Sequence, residues 1–359
     1  MHGLSAPPDS LALFSLSLPL LPLQPTSSNL ALQKMSYEYK TLRSDSLRLL
    51  RPVSIGRDSL AFELSHHLRV SAPAYTAVSY TWGDSAPTER IRLGGERFLT
   101  RLNLWSCLYY LGTAAQSRCV PWQYLWVDAI CINQNNDQER NSQVRLMDQT
   151  YRDALVVSVW LGLPPIPDDV KLHSDRNHAQ IRTFEIRGFD WYNHLEDLAN
   201  RPYWTRFWVI QECLLAQQVH VYCGSSRVDW EFFKELLGRT TGDVQYLDED
   251  FDNTKSTSGS WAAWPLVAGR HPYKHPELAQ PLYKLLISHG KSRCKDPRDR
   301  VFALLGLVTP DERLLLLRFF PDYDMDLDDV VLVALCHIQT HVIEDEVDVK
   351  RFFCGARCH

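Results

Sequence analysis

The chain has 359 residues, of which 45% are hydrophobic and 23% are charged, and its formal net charge is −5. These proportions are typical of a globular protein. An acidic balance without a long basic run excludes the usual electrostatic signature of nucleic-acid binding. No stretch beyond the N-terminal leader is long and apolar enough to span a membrane. We therefore predict neither a nucleic-acid partner nor a membrane span.

Cysteine usage indicates the cellular compartment. The nine cysteines are an odd number and are scattered along the chain, unlike the dense spacing of a secreted disulfide scaffold. We predict a reduced, cytoplasmic location. The C-terminal sequence CGARCH offers three metal-ligand side chains, Cys354, Cys358 and His359, but no second ligand pair lies at zinc-finger spacing. We accordingly predict no metal and no cofactor.

Residues 1–35 differ in composition from the rest of the chain. They include LALFSLSLPLLPLQP, which is apolar but interrupted by proline and too short to cross a bilayer. A secretory signal has a lysine or arginine before its apolar region, and none precedes this stretch. We predict a disordered leader, and a secretory signal is the alternative.

Strands and helices are predicted to alternate through the middle of the chain. A hairpin is predicted around Gly94 and Gly95. Dense apolar or β-branched stretches predict strands, and apolar residues at helical spacing predict helices. In chain order these elements are strand 75–82, helix 101–111, strand 125–132, helix 137–153, strand 155–161, helix 204–216 and strand 219–223. This alternation predicts an α/β fold, a mainly parallel sheet flanked by helices, with insertions and a helical C-terminal part.

Polar residues follow two of the predicted strands. Trp82, Gly83 and Asp84 follow the first strand, and Asn133 and Gln134 follow the second. Open α/β sheets bind ligands beyond the carboxyl ends of their strands. We therefore expect these five residues to lie at one edge of the sheet and to line a binding site.

The first strand offers two further features. Ser79 lies within the strand, and Trp82 could stack on the ring of a ligand while backbone N–H groups near Gly83 approach a phosphate. The structural alternative, an aromatic lid over the core, is favoured when residue type alone is considered.

The second strand contributes Asp128 and Cys131. A buried aspartate requires partners, because its pKa otherwise rises, so Asp128 either organises the loop or acts as an acid or base. Cys131 lacks a neighbouring histidine and is interpreted as an inert buried thiol. Glu139 and Gln143 lie four residues apart on one helix face, and either both point at the cleft or Glu139 serves the helix N-terminus.

The sequence RPYWTRFWVIQECLLA predicts the most informative helix. It carries Trp208 and Glu212 at helical spacing among apolar residues. A carboxylate in such surroundings is costly unless it is paired or lies at a cleft. Arg206 is its candidate partner, and a structural Arg–Glu pair is the alternative to a catalytic Glu212. Motifs of P-loop enzymes, Rossmann dehydrogenases, α/β-hydrolases and zincins are absent from the sequence.

Four ordered motifs together resemble the heterokaryon incompatibility (HET) domain of filamentous fungi. They are YTAVSYTWGD, LWVDAICINQNNDQERNSQVRLMDQTYRDALVVSVWLG, RPYWTRFWVIQECLLAQQVHVYCG and CKDPRDRVFALLGL. The resemblance covers about residues 36–310, so residues 311–359 are predicted to be a helical C-terminal extension. It implies a role in nonself recognition and programmed cell death, with a signalling partner or self-association.

The order of elements also resembles that of TIR domains, which have a flavodoxin-like sheet. In enzymatic TIR domains a glutamate four residues after a tryptophan cleaves NAD, and Trp208 and Glu212 match this pair. The resemblance implies that Glu212 is a catalytic candidate and that NAD is the substrate. The candidate substrate-binding residues are Ser79, Trp82, Gly83, Asp84, Asp128, Asn133, Gln134 and Trp208. Arg206, Glu139 and Gln143 would be structural. A non-enzymatic, self-associating signalling module is the alternative.

Overall fold

The computed structural model describes residues 37–57, 59–83, 86–163, 196–240, 262–267 and 279–341. The predicted leader, the CGARCH sequence and the candidate binding residue Asp84 lie outside these ranges. Among the described helices, none has the length and apolar character that crossing a membrane requires.

The described strands form one nine-stranded mixed sheet. The strands are β1 (Ser46–Ile55), β2 (Leu60–Leu68), β3 (Tyr75–Tyr80), β4 (Glu89–Leu93), β5 (Glu96–Thr100), β6 (Tyr124–Trp126), β7 (Val156–Trp160), β8 (Val219–Cys223) and β9 (Ser226–Asp229). Their spatial order is β5-β4-β2-β1-β6-β3-β7-β8-β9.

Helices cover the sheet and follow it in sequence. The described helices are α1 (Leu102–Gln116), α2 (Asp128–Cys131), α3 (Asp137–Arg145), α4 (Met147–Asp153), α5 (Trp208–Leu214), α6 (Trp230–Thr240), α7 (Trp264–Val267), α8 (Leu282–Ser288), α9 (Asp299–Phe302), α10 (Pro310–Leu316) and α11 (Leu327–His341). Short 3-10 helices span Arg69–Ser71 and Pro202–Thr205.

The predicted α/β class is confirmed, but the predicted mainly parallel sheet is not. The four central strands β6, β3, β7 and β8 pair in parallel. The antiparallel pairs β1–β2, β4–β5 and β8–β9 flank them, and β1 meets β6 antiparallel. Short connections without helices join these flanking pairs, so they return antiparallel. The complete sheet therefore does not confirm a TIR-like order.

Several predicted boundaries move for local reasons. Strand 125–132 is wrong beyond Trp126, because the chain turns into α2 at Asp128. The predicted helix 137–153 is divided at Leu146, whose φ of −107° and ψ of 7° are not helical. The predicted helix 204–216 begins instead as a 3-10 turn, and its α-helical part starts at Trp208.

Helix α1 continues through Gly112, where the sequence predicts its end. A Cβ atom at this position would lie 2.8 Å from Ile55 Cδ1. Glycine is therefore used here for close packing of α1 on the sheet and not as a helix stop.

The helices after residue 280 contact α4 and one another. Arg313 of α10 forms an ion pair with the buried Asp148 of α4. Glu312 accepts hydrogen bonds from the Leu282 N–H and lies 3.1 Å from Nε2 of the buried His337. A buried polar group that loses its partner destabilises the fold, so these contacts hold α4, α8, α10 and α11 together.

Gly306 is expected to tolerate no larger residue. A Cβ atom there would lie 2.5 Å from Asp148 Cβ, 2.8 Å from Gln211 Oε1 and 2.9 Å from Leu215 Cδ1. We expect Gly306→Ala to lower the free energy of unfolding by about 1–3 kcal/mol, because overpacking forces its neighbours to shift. Urea unfolding measures this loss. Gly56→Ala is the control, since the nearest atom to its Cβ is 3.7 Å away, and equal losses in both variants would contradict the packing argument.

Candidate functional site

The carboxyl ends of the parallel strands carry polar side chains that contact one another. The chain leaves β3 toward Trp82 and leaves β6 at Asp128, and the segment before α5 brings Arg206 to the same edge. We call the following residues the edge network: Ser79, Trp82, Asp128, Tyr203, Arg206 and Glu212.

Glu212 lies at the inner end of the edge network and is 2% exposed. Its carboxylate accepts a hydrogen bond from the Ser79 hydroxyl on β3. That hydroxyl also lies 2.5 Å from the hydroxyl of Tyr203. Nη1 of Arg206 is 3.9 Å from a carboxylate oxygen of Glu212. These partners are protein groups, and they hold the carboxylate inside the fold.

Asp128 and Trp82 form the outer part of the edge network. The Trp82 indole N–H donates to Asp128 Oδ2 at 2.9 Å, and the backbone N–H of Ala129 donates to Oδ1 at 2.7 Å. Both Asp128 and Trp82 are partly exposed. The guanidinium of Arg101 lies 5.5 Å from the Trp82 ring centre, at cation–π distance. The network therefore reaches the surface at the aromatic residue that follows β3.

Arg206 connects the inner and outer parts. Its Nη1 donates to the carbonyl oxygen of Tyr80 at 2.5 Å, and 22% of its side chain is exposed. Burial lowers the pKa of Arg206, but attraction to Glu212 and Asp128 outweighs burial and raises it. The guanidinium thus interacts with both carboxylates and with the last residue of β3.

Both carboxyl groups of the edge network have pKa values above the ordinary range. Burial is the main cause for Glu212, where repulsion from Asp128 adds to it and Arg206 and Ser79 oppose it. Burial also raises the pKa of Asp128, against attraction to Arg206 and the hydrogen bond from Trp82. Groups perturbed by both burial and a specific partner are enriched at functional sites, although structural ion pairs produce the same effect.

The raised pKa of Glu212 predicts a pH-dependent difference between the wild type and Glu212→Gln. A group whose pKa is higher in the folded chain stabilises folding below its unfolded pKa, ordinarily 4.5. That contribution is lost as pH rises through the folded pKa. Because glutamine stays neutral, Glu212→Gln should gain stability relative to the wild type as pH rises. Urea unfolding at several pH values between about 4 and 8 measures this, and a pH-independent difference would contradict it.

The CINQ segment is held by a separate buried ion pair. Arg48 of β1 is 0% exposed and binds both carboxylate oxygens of Glu139, at 2.6 and 2.9 Å. Glu139 also accepts the Asn133 N–H at 2.7 Å. Burial raises the pKa of Glu139, but the hydrogen bonds from Arg48 and Asn133 outweigh it and lower the pKa. Glu139 therefore faces Arg48, and its own N–H is capped by the Asn136 side chain.

The remaining predicted site residues lie in different surroundings. Gln134 donates to the backbone oxygen of Asp128 at 2.9 Å, so it supports the edge network from outside. Gly83 has φ of 73°, a conformation that favours glycine. Gln143 is buried and accepts a hydrogen bond from Arg69 at 3.0 Å. The described structure does not bring Asn133 or Gln143 into the edge network.

Trp208 does not have the ligand-stacking surroundings that the sequence suggests. Burial raises the pKa of Asp299 to about 6, and hydrogen bonds from Tyr323 and from Trp208 oppose the rise. The indole thus meets the C-terminal CKDPRDR segment.

Three residues of the site were missed by sequence reasoning. Tyr203 lies in a 3-10 turn, where helical periodicity gives no signal. Asn103 of α1 donates to the Thr81 carbonyl at 2.7 Å and accepts from the Trp160 indole at 2.9 Å. Arg48 did carry a signal, a charged residue between Leu47 and Leu49 in an apolar strand.

No group of three or more potential metal-ligand side chains occurs within the described ranges. A cavity of about 240 Å³ opens elsewhere, at the start of β8, and is lined by Gln217, His220, Asp229 and Trp230 among others. Glu212 is not among its lining residues. Binding at the edge network would therefore involve the exposed faces of Trp82, Asp128 and Arg206.

Comparison with known proteins identifies this region. Residues 75–212 match the model of the family Heterokaryon incompatibility protein (HET). This part of the chain is therefore similar to the HET family. The match begins at Tyr75, the first residue of β3, and ends at Glu212 in α5. The whole edge network lies within the matched residues.

A curated relative supports the same assignment. Heterokaryon incompatibility protein 6, OR allele, from Neurospora crassa is 27% identical over 308 residues, which cover 70% of this chain and 45% of the relative. This chain thus spans less than half of the relative's length. No solved structure matches the chain.

Proposed function

We propose that this chain acts in fungal heterokaryon incompatibility, as a signalling domain of nonself recognition that leads to programmed cell death. The observation that carries the proposal is the HET match, whose limits enclose the complete edge network. The name of the Neurospora crassa relative supports the same role.

Induced expression in a filamentous fungus tests this role. Expression of the full chain should reduce the fraction of viable hyphal cells, as measured with a vital dye. The matched control is Arg206→Met at the same protein level, which disrupts the edge network and should restore viability. If the folded wild-type chain is detected in the cells and their viability stays normal, the proposal is contradicted.

A non-enzymatic signalling role agrees best with the burial of Glu212. Its carboxylate is 2% exposed and is enclosed by Ser79, Tyr203 and Arg206. In this proposal the edge network fixes the loops after β3 and β6, and a partner binds the surface that those loops form.

Cleavage of NAD is the second proposal, and one observation favours it. Glu212 lies 3.9 Å from Arg206 and interacts electrostatically with the partly exposed Asp128, to which Trp82 is hydrogen-bonded. A carboxylate can stabilise the positive charge that develops on ribose when the nicotinamide bond breaks, and an indole can stack on a ring. Substrate would have to displace Arg206 from Glu212 for this chemistry to occur.

Release of nicotinamide from NAD separates the two proposals. If the chain is an NAD-cleaving enzyme, the wild type releases nicotinamide and Glu212→Gln does not. The control Glu63→Gln changes an exposed glutamate on β2 and should retain full activity. If the wild type is folded and releases none, the non-enzymatic role stands.

A further inference from the structure

The β4–β5 hairpin presents arginines on the outer face of the sheet. Ile91 and Leu93 of β4 are buried. Because side chains alternate along a strand, Arg90 and Arg92 point to the opposite face, and both are exposed. The β4–β5 hairpin lies at one end of the sheet, and β5 is the edge strand.

A third arginine lies directly across from the second. In the register of the hairpin Arg92 is opposite Arg97, and Arg90 is opposite Leu99. Like charges directly opposite each other destabilise a strand pair. Within the described ranges, no acidic side chain pairs with Arg90, Arg92 or Arg97. This local positive charge contrasts with the chain's net charge of −5, and we call these residues with Leu99 the arginine face.

A second exposed segment has the opposite charge. Residues 322–329, DYDMDLDD, include five aspartates. Asp326 caps α11 by accepting the Asp329 N–H at 2.9 Å, and Asp322 accepts the Asp324 N–H at 2.9 Å. Asp324, Asp326 and Asp329 are exposed, and Leu327 between them is 36% exposed. We call residues 322–329 the aspartate segment.

The aspartate segment is anchored to the fold. The backbone N–H of Tyr323 donates to Asn141 Oδ1 at 3.3 Å. Its ring lies between the guanidinium groups of Arg140 and Arg298, at 5.1 and 5.4 Å from the ring centre. The aspartates beside Tyr323 are therefore presented from a fixed position and not from a free tail.

We propose that the arginine face of one copy of this chain binds the aspartate segment of a second copy. The opposite charges are complementary, and each surface has an exposed leucine, Leu99 at 54% and Leu327 at 36%. An anion bound at the arginine face would relieve the repulsion between Arg92 and Arg97. Two different surfaces meet in this contact, so it is heterologous and generates rings or filaments. The inference does not depend on the proposed role in incompatibility.

Sedimentation velocity of the full chain tests the proposal. The average mass should rise with protein concentration, and raising the salt from about 50 to about 500 mM should weaken association about tenfold, because exposed charges are screened. Arg92→Glu/Arg97→Glu and Asp324→Lys/Asp329→Lys should each weaken association at least about tenfold, since like charges then face each other.

Mixing the two charge-reversed variants gives the decisive result. In the mixture, the intact aspartate segment of one variant faces the intact arginine face of the other, and the two reversed surfaces also complement each other. The mixture should therefore form assemblies that contain both variants in equal amounts, which neither variant forms alone. The control Arg118→Glu/Lys291→Glu changes the net charge by the same amount as Arg92→Glu/Arg97→Glu, but at exposed sites elsewhere. It should associate like the wild type.

Three outcomes would overturn the proposal. They are a wild type that stays monomeric at every concentration, association that is insensitive to salt and to both reversals, and failure of the mixed variants to bind each other. Circular dichroism confirms that the variants are folded. Binding of the wild type to acidic peptides or anionic vesicles without self-association would also count against a second copy as the occupant.

Discussion

Arg206→Met should lower the free energy of unfolding at pH 7 by about 3 kcal/mol, because removing one partner of a buried ion pair leaves uncompensated charge. Arg206 serves the carboxylates of Glu212 and Asp128 and donates to the Tyr80 carbonyl. Methionine keeps the apolar stem but provides neither the charge nor the donor. Urea unfolding at constant pH measures the loss.

The loss in Arg206→Met should shrink in acid. Without the guanidinium, the pKa values of Glu212 and Asp128 rise further, so both carboxyls become neutral at a higher pH in the folded chain. A neutral carboxyl is not stabilised by the positive charge of Arg206. The difference in unfolding free energy between Arg206→Met and the wild type therefore falls as pH decreases. Arg206→Lys keeps the positive charge and should lose less than Arg206→Met. A loss that is the same at pH 4 and pH 7 would show that packing, not charge, is the role of Arg206.

Arg48→Met should have a comparable or larger effect, about 3–5 kcal/mol, because a buried charge loses its partner. Arg48 is fully buried, and Glu139, whose side chain is 8% exposed, would keep its charge without a guanidinium. The carbonyl oxygens of Cys131 and Lys40 would also lose their Arg48 donors. Thermal or urea unfolding measures the loss of stability. If the loss exceeds the stability of the wild type, the variant does not fold.

The matched control for Arg48→Met is Arg51→Met. Arg51 lies on the same strand and pairs with Glu63, but the two side chains are 48% and 51% exposed. Solvent and salt screen such exposed pairs, which contribute little to stability, so this variant should remain close to the wild type. If both variants lose the same stability, burial of the Arg48–Glu139 pair is not what makes it important.

The sequence predicted those elements whose patterns are local. Strand 219–223 and the hairpin at Gly94–Gly95 follow from apolar runs and turn residues, and the structure has both. The direction of β1 and β2 did not follow, because periodicity says nothing about which strand pairs with which. The end of strand 125–132 was misjudged since DAIC is apolar enough for either a strand or a buried helix.

The site was predictable in position but not in orientation. The rule that ligands lie beyond the carboxyl ends of parallel strands predicted that Trp82 and Gln134 share one edge of the sheet. In the structure both donate hydrogen bonds to Asp128, Trp82 to its carboxylate and Gln134 to its backbone oxygen. Which way Glu139 and Trp208 point depends on Arg48 and Asp299, which are distant in the sequence. Such long-range partners cannot be derived from the spacing of residues within one helix.

The account rests on the claim that the edge network is one electrostatically coupled unit. A double-mutant cycle at Arg206 and Glu212 measures this coupling from the unfolding free energies of wild type, Arg206→Met, Glu212→Gln and the double variant at pH 7. If the claim is correct, the double variant is more stable than the sum of the single effects implies, by at least about 1 kcal/mol. Additivity within about 0.5 kcal/mol, as found for independent sites, would contradict it.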